Sequence, residues 1–272
     1  MNKYYVNIFR LSFILALTFL TQIGGVIYVL CIMVMPVDGV WSQMRRFTIF
    51  VGLYLAATFV VVPYFAEAIG RERIKETELI KARTFTTKLF NRNYVKPAMN
   101  DALQAMSKDF EKERKGIKIQ YLDASFPFFE EFFPVFPHED HNDGNRVDLS
   151  LIYREGDRIT NNKPSFSGYG IFEKAEGNEH NQPELCRTKG YWRYGFLRYF
   201  HFGRTKHPVE FSNAATRDLV YAAIKQKEIA SIYIEPHLKS RLRLPNKKVS
   251  AHGCKSKRFD DHIQIELSTL LD

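Results

Sequence analysis

The sequence predicts an α+β protein: an N-terminal transmembrane helical hairpin, then a soluble domain with a mainly antiparallel sheet and flanking helices. Three observations predict it. Residues 8–35 and 47–69 are apolar stretches, each long enough to cross a hydrocarbon core, which takes about 20 residues. Beyond them, residues 117–122, 148–153, 229–234 and 262–267 are short apolar or alternating runs of the kind that form strands. Two segments place apolar residues at helical spacing, Ala102, Leu103, Met106 and Phe110 in one and Leu219, Ala222, Ala223 and Ile224 in the other. Strands and helices mixed in this way, without a repeating strand-helix-strand unit, define the α+β class.

The anchor comes first. The chain has 272 residues, 45% hydrophobic and 25% charged, with a formal net charge of +9. The expected division is a two-helix anchor over residues 1–70, a charged helical linker over 71–115 and the α+β domain over 116–272. Arg10 is the charge in the first apolar stretch and Glu67 lies near the end of the second. Pro36, Val37, Asp38 and Gly39 start the polar link between them. A cleaved signal peptide is the rival for the first stretch. Its apolar core exceeds the roughly 7–15 residues of a signal segment, and no small-residue cleavage site follows at once. A hairpin leaves both ends of the chain on one side of the membrane. Lys3 and Arg10 precede it, Arg45 and Arg46 lie within it, and Arg71, Arg73, Lys75, Lys81 and Arg83 follow it. The positive-inside bias then favours both ends in the cytoplasm.

Residues 71–88 and 97–113 read as helices rich in Lys, Arg and Glu. Such a charge run is a solvated helix face more often than a lipid-headgroup contact. No basic-aromatic signature of a nucleic-acid module is present. After the strand at 117–122 comes an aromatic segment with Pro127, Pro134 and Pro137, which excludes a regular helix or central strand. Residues 155–210 lack sustained periodicity and predict long loops and short strands. Ser212 or Asn213 caps a helix that runs to Lys227. A strand, a short helix at 235–242 and a last strand at 262–267 close the chain. In that last strand His262, Gln264 and Glu266 share one face, and Ile263, Ile265 and Leu267 the other. Cys31 falls in the first membrane helix, where it is a small apolar residue. Cys186 and Cys254 form either one disulfide, which needs an oxidising compartment, or two buried thiols.

The chemistry concentrates in residues 138–148. His138 and His141 stand three residues apart, Asn142-Asp143-Gly144 follows, and Asp148 opens an apolar run. Asn, Asp and Gly tolerate the backbone conformations of a tight turn. A turn there brings the His141 ring and the Asp148 carboxylate to one point. Imidazole and carboxylate are common zinc ligands; the plainer alternative is a polar surface loop with two solvated histidines. His237 and His252 are spare candidates. His180, His201 and His207 attract no role.

The spacing His138-x-x-His141-x-x-Gly144-x-x-x-Asp148, followed by a strand, resembles the metal motif of the penicillin-insensitive murein endopeptidases, within the lysostaphin and D-alanyl-D-alanine metallopeptidase fold group. The helix at 213–227, the segment at 231–242 and the closing Asp260-Asp261-His262-Ile263-Gln264 are similar to that family in order and spacing, so the resemblance covers roughly residues 97–267. It implies zinc as cofactor, His141 and Asp148 as ligands with His138 close by, and His262 as a third ligand or as the general base. Asp261 or Asp260 is the substitute base if His262 binds metal. The departure is at the end: the family carries His-x-His where this chain has His262 and Gln264, and Phe259 stands where a further histidine is often found. A neutral amide is a poor zinc ligand.

Two functions follow from the resemblance, the first favoured and the second its alternative. One is a zinc-dependent hydrolase, a membrane-anchored metalloprotease of the cell wall that cleaves peptide cross-links of peptidoglycan. The other is a catalytically impaired relative that acts as a cell-wall-binding or regulatory membrane protein. Both put the soluble domain in the periplasm or otherwise outside the cytoplasmic membrane, against the charge bias, with the lipid bilayer and peptidoglycan peptides as partners and no nucleic acid.

Overall fold

The computed structural model describes residues 3–34, 40–129 and 141–268, so His138 lies outside the described residues. Among the described residues the chain is mixed α and β. Helices are α1 (Lys3–Thr21), α2 (Gly24–Val34), α3 (Val40–Ala56), α4 (Val62–Ala68), α5 (Phe85–Leu89), α6 (Pro97–Glu113), α7 (Gln182–Thr188), α8 (Asn213–Lys225) and α9 (Pro236–Arg241). Strands are β1 (Glu72–Arg73), β2 (Ile80–Ala82), β3 (Tyr94–Val95), β4 (Ile119–Asp123), β5 (Arg146–Ser150), β6 (Tyr153–Glu155), β7 (Arg158–Thr160), β8 (Glu210–Phe211), β9 (Ile229–Tyr233), β10 (Val249–Ser250) and β11 (His262–Leu267).

Two helices are long and apolar enough to cross a membrane, residues 4–21 and residues 41–68. The second runs through α3, a π-helical turn at Ala57–Val61 and α4. Pro63 lies in the first turn of α4; proline lacks the N–H that a regular ladder needs there. The expected single helix over 8–35 is corrected. The chain breaks after Thr21, with Gln22 at φ +68°, and α2 turns back along α1, so that Phe13 meets Tyr28 at 5.0 Å and Tyr28 meets Phe50 at 5.5 Å between ring centroids. Gly25 permits this: a Cβ there would lie 1.8 Å from Thr18 Oγ1. With 11 residues, α2 is about 16 Å long, too short to cross alone.

The expectation that both ends of the hairpin leave on one side is corrected too. α1 meets the domain with its C-terminal end, where Asn91 Nδ2 donates to Thr21 O at 3.2 Å and Gln22 exchanges two hydrogen bonds with the Phe128 backbone. The α3–α4 rod also meets it from its middle to its C-terminal end, where the Tyr54 hydroxyl donates to Leu89 O and Val62 and Ala66 pack with Tyr94. The start of α1 therefore points away from the domain.

Residues 71–88 are not one helix: β1 and β2 occupy the stretch before α5, which begins only at Phe85. β2 pairs with β4, and β1 with β3. The segment expected as a linker is thus built into the domain, because Ile74, Ile80, Met99, Leu103, Met106 and Phe110 carry its core. The main sheet has six strands in the order β10-β9-β11-β5-β4-β2. Its four central strands are antiparallel and both edge pairings are parallel. Helices α6 and α8 pack on one face, over Val147, Leu149, Ile263 and Ile265. The opposite face carries the polar residues of β5 and β11, which for β11 is the alternation the sequence predicts. A small sheet, β7-β6-β8, and the segment at 161–209, which includes α7 and a 3-10 helix at Trp192–Tyr199, border that face.

Candidate active site

The polar face is ordered by register. β5 and β11 run antiparallel, with Ser150 opposite His262, Asp148 opposite Gln264 and Arg146 opposite Glu266. Directly opposed residues in an antiparallel pair have neighbouring side chains. Arg146 and Glu266 form a cross-strand ion pair at 2.6 Å. The other two rows form the centre.

His141 reaches the centre through the turn. Asp143 Oδ1 accepts from Asn145 N at 2.9 Å, and Gly144 N donates to Ser125 Oγ at 2.9 Å. Gly144 has φ +72°, and a Cβ there would lie 1.7 Å from Arg71 Nη1. The turn therefore needs glycine for its conformation and for the close approach of Arg71. It carries His141 Nε2 to 3.0 Å from Asp148 Oδ1, as the Asn-Asp-Gly spacing predicts.

Asp148, His141, His262 and Gln264 are all fully buried. The Tyr169 hydroxyl donates to Asp148 Oδ2 at 2.9 Å. His262 Nε2 stands 3.5 Å from the same oxygen. The Asp261 carboxylate receives His262 Nδ1 at 2.5 Å and Gly170 N at 2.5 Å. Asp261 therefore orients the His262 ring and turns Nε2 toward Asp148, which is how a carboxylate fixes an imidazole tautomer. Asp260 points elsewhere, to the Arg258 guanidinium. Burial pushes its carboxyl up to about 8, against the lowering effect of Arg258.

Lys257 completes the centre, and sequence reasoning missed it. Its Nζ stands 3.3 Å from His141 Nε2 and 3.3 Å from Asp148 Oδ2. The Gln264 amide Nε2 stands 2.9 Å from His141 Nε2. Tyr169 and Gly170 were also missed. All three come from loops without periodicity, and a lone lysine in a basic chain carries no signal. Of the spare histidines, His237 bonds Glu173 O at 2.9 Å and His252 stacks on Tyr233 at 4.0 Å. Phe259 packs its ring 5.1 Å from that of His262.

The fit to zinc turns on these contacts. His141 Nε2, the Asp148 carboxylate and His262 Nε2 converge and are the right donor types for a catalytic zinc. The Lys257 ammonium, however, already stands 3.3 Å from both His141 Nε2 and Asp148 Oδ2, and the Gln264 amide stands on His141 Nε2 at 2.9 Å. Catalytic zinc also keeps one position open to water or substrate, whereas these side chains are closed off. As arranged, the residues do not fit a bound zinc ion, because an ammonium at hydrogen-bond distance repels a dication in a buried site.

A cavity of about 620 Å³ opens beside the centre, between Gly170 and Arg258. Lys174, Arg187, Arg198, Arg204 and Trp192 also line it. Cys186 of α7 is disulfide-bonded to Cys254, three residues before Lys257. No protein-family model matches this chain, and no curated protein matches it either.

Proposed function

We propose that this protein is a membrane-anchored, murein-endopeptidase-like domain that binds peptidoglycan peptides outside the cytoplasmic membrane without hydrolysing them. The observation that carries this is Gln264: it stands opposite Asp148, with its amide on His141 Nε2, where the resembled family has a ligand histidine. The cavity supports a ligand with free carboxylates: beside Arg187, paired with Glu184, and Arg258, paired with Asp260, Lys174, Arg198 and Arg204 line it, and guanidinium groups suit carboxylates, which wall peptides carry. The Cys186–Cys254 disulfide supports an oxidising compartment. The helix directions support the same side. Lys3 and Arg10 of α1 and Arg45 and Arg46 of α3 all lie on the helix halves that point away from the domain, so the positive-inside bias assigns the far side to the cytoplasm. The basic residues after α4 fold into the domain, and long domains cross largely regardless of charge.

The test is co-sedimentation of detergent-solubilised full-length protein with purified murein sacculi, followed by chromatography of the muropeptides. Retention with an unchanged muropeptide profile is expected. Failure to sediment sinks the proposal.

Convergence of His141, Asp148 and His262 favours a second reading, a zinc-dependent murein peptidase. In it His141, Asp148 and His262 would hold the metal once the Lys257 ammonium is displaced, the metal would supply Lewis-acid activation of water, and Asp261 positions His262. Chelator-sensitive cleavage that is lost in His141→Ala decides for this reading.

A further inference from the structure

We propose that Lys257 supplies the cation of this centre: its ammonium takes the place between His141 and Asp148 that a metal ion would need, so the site excludes zinc by its own side chain. The inference concerns the same centre as the proposed function but stands whether or not the ligand is a murein peptide.

Three observations carry it. First, Lys257 Nζ is equidistant, at 3.3 Å, from His141 Nε2 and Asp148 Oδ2. Those are the two donors that the sequence motif aims at a metal. Second, the Lys257 side chain is only 9% exposed, and its Nζ lies 5.5 Å from the Phe259 ring centroid. It is packed into the centre and does not hang over its mouth. Third, Asp148 is fully buried and needs a compensating charge, because an unpaired buried carboxylate is strongly disfavoured. Lys257 provides it at hydrogen-bond distance. The two departures from the resembled motif then make one chemical change. Gln264 replaces an imidazole donor with an amide that does not need a metal, and Phe259 replaces a histidine with a ring that supports the lysine.

Zinc binding by the full-length protein tests this, with wild type, Lys257→Met, Lys257→Arg, Lys257→Met/Gln264→His and His141→Ala dialysed against buffered zinc. Circular dichroism verifies that each is folded. Bound zinc per chain is the readout. Wild type and Lys257→Arg should hold no more zinc than His141→Ala. Lys257→Met should bind at least tenfold more tightly than wild type, and the double variant more tightly still. Near-stoichiometric zinc in the wild type, lost in His141→Ala, overturns the proposal and does not require Lys257→Met to fold. So does a folded double variant that binds no more zinc than wild type. Failure to sediment with murein, with this zinc pattern intact, would sink the functional reading and leave Lys257 in its role.

Discussion

Gly144 and Lys163 show how single residues set this centre and its surroundings. Gly144 holds φ +72° with Arg71 packed where a side chain would go. Gly144→Ala should cost at least about 1–3 kcal/mol, the usual range for a forced backbone conformation, and lower the thermal midpoint. An unchanged midpoint would mean that Arg71 moves aside freely. Lys163 is fully buried and donates to Leu151 O at 2.7 Å. Burial, with a smaller push from Arg83, lowers its amine to about 7. The sign follows from proton counting. Below about pH 7 both folded and unfolded chains hold the proton, and folding bears the full cost of a buried ammonium. Between about 7 and the ordinary lysine value only the unfolded chain holds it, so stability rises with pH. Lys163→Met removes this dependence. Wild type should therefore gain on Lys163→Met by a few kcal/mol between pH 7 and 10, read from melting curves at both pH values. A constant difference would refute the burial of a titrating amine.

At the scale of elements, β11 and the loop before it decide the centre. The strand's alternation sends Ile263 and Ile265 to the core and His262 and Gln264 to the site, and its pairing with β5 sets Gln264 against Asp148. The preceding loop holds Lys257 and is tethered to α7 by Cys186–Cys254. Removing a native disulfide typically costs about 2–5 kcal/mol. Cys186→Ser should lower the midpoint accordingly, and reductant should affect wild type but not the variant. Helix α8 begins where the sequence predicts it, with Ser212 Oγ accepting from Ala215 N at 3.3 Å. Ser212→Ala should cost about 1 kcal/mol, the usual value of such a cap.

For the whole molecule, the proposed orientation rests on the directions of α1 and α3–α4. Both meet the domain with their C-terminal ends, so an anchored chain has its N-terminus and its domain on opposite sides. In intact cells a membrane-impermeant maleimide should label a cysteine placed at Lys247 but not one placed at Lys3. Labelling of both from the outside would restore the two-ended hairpin.

The sequence by itself determined the local devices: the apolar helices, the Asn-Asp-Gly turn that joins His141 to Asp148, the capped helix α8 and the two-faced strand β11. Periodicity and turn chemistry act within a few residues, so they are legible in order along the chain. Tertiary structure alone decided the rest. It drew the segment at 71–115 into the sheet and core, folded α2 back on α1, paired Cys186 with Cys254, and brought Lys257 and Tyr169 to Asp148 from loops 109 and 21 residues away. These contacts join parts of the chain that no local pattern links: apolar packing selects those of 71–115 and α2, and the buried Asp148 carboxylate those of Lys257 and Tyr169.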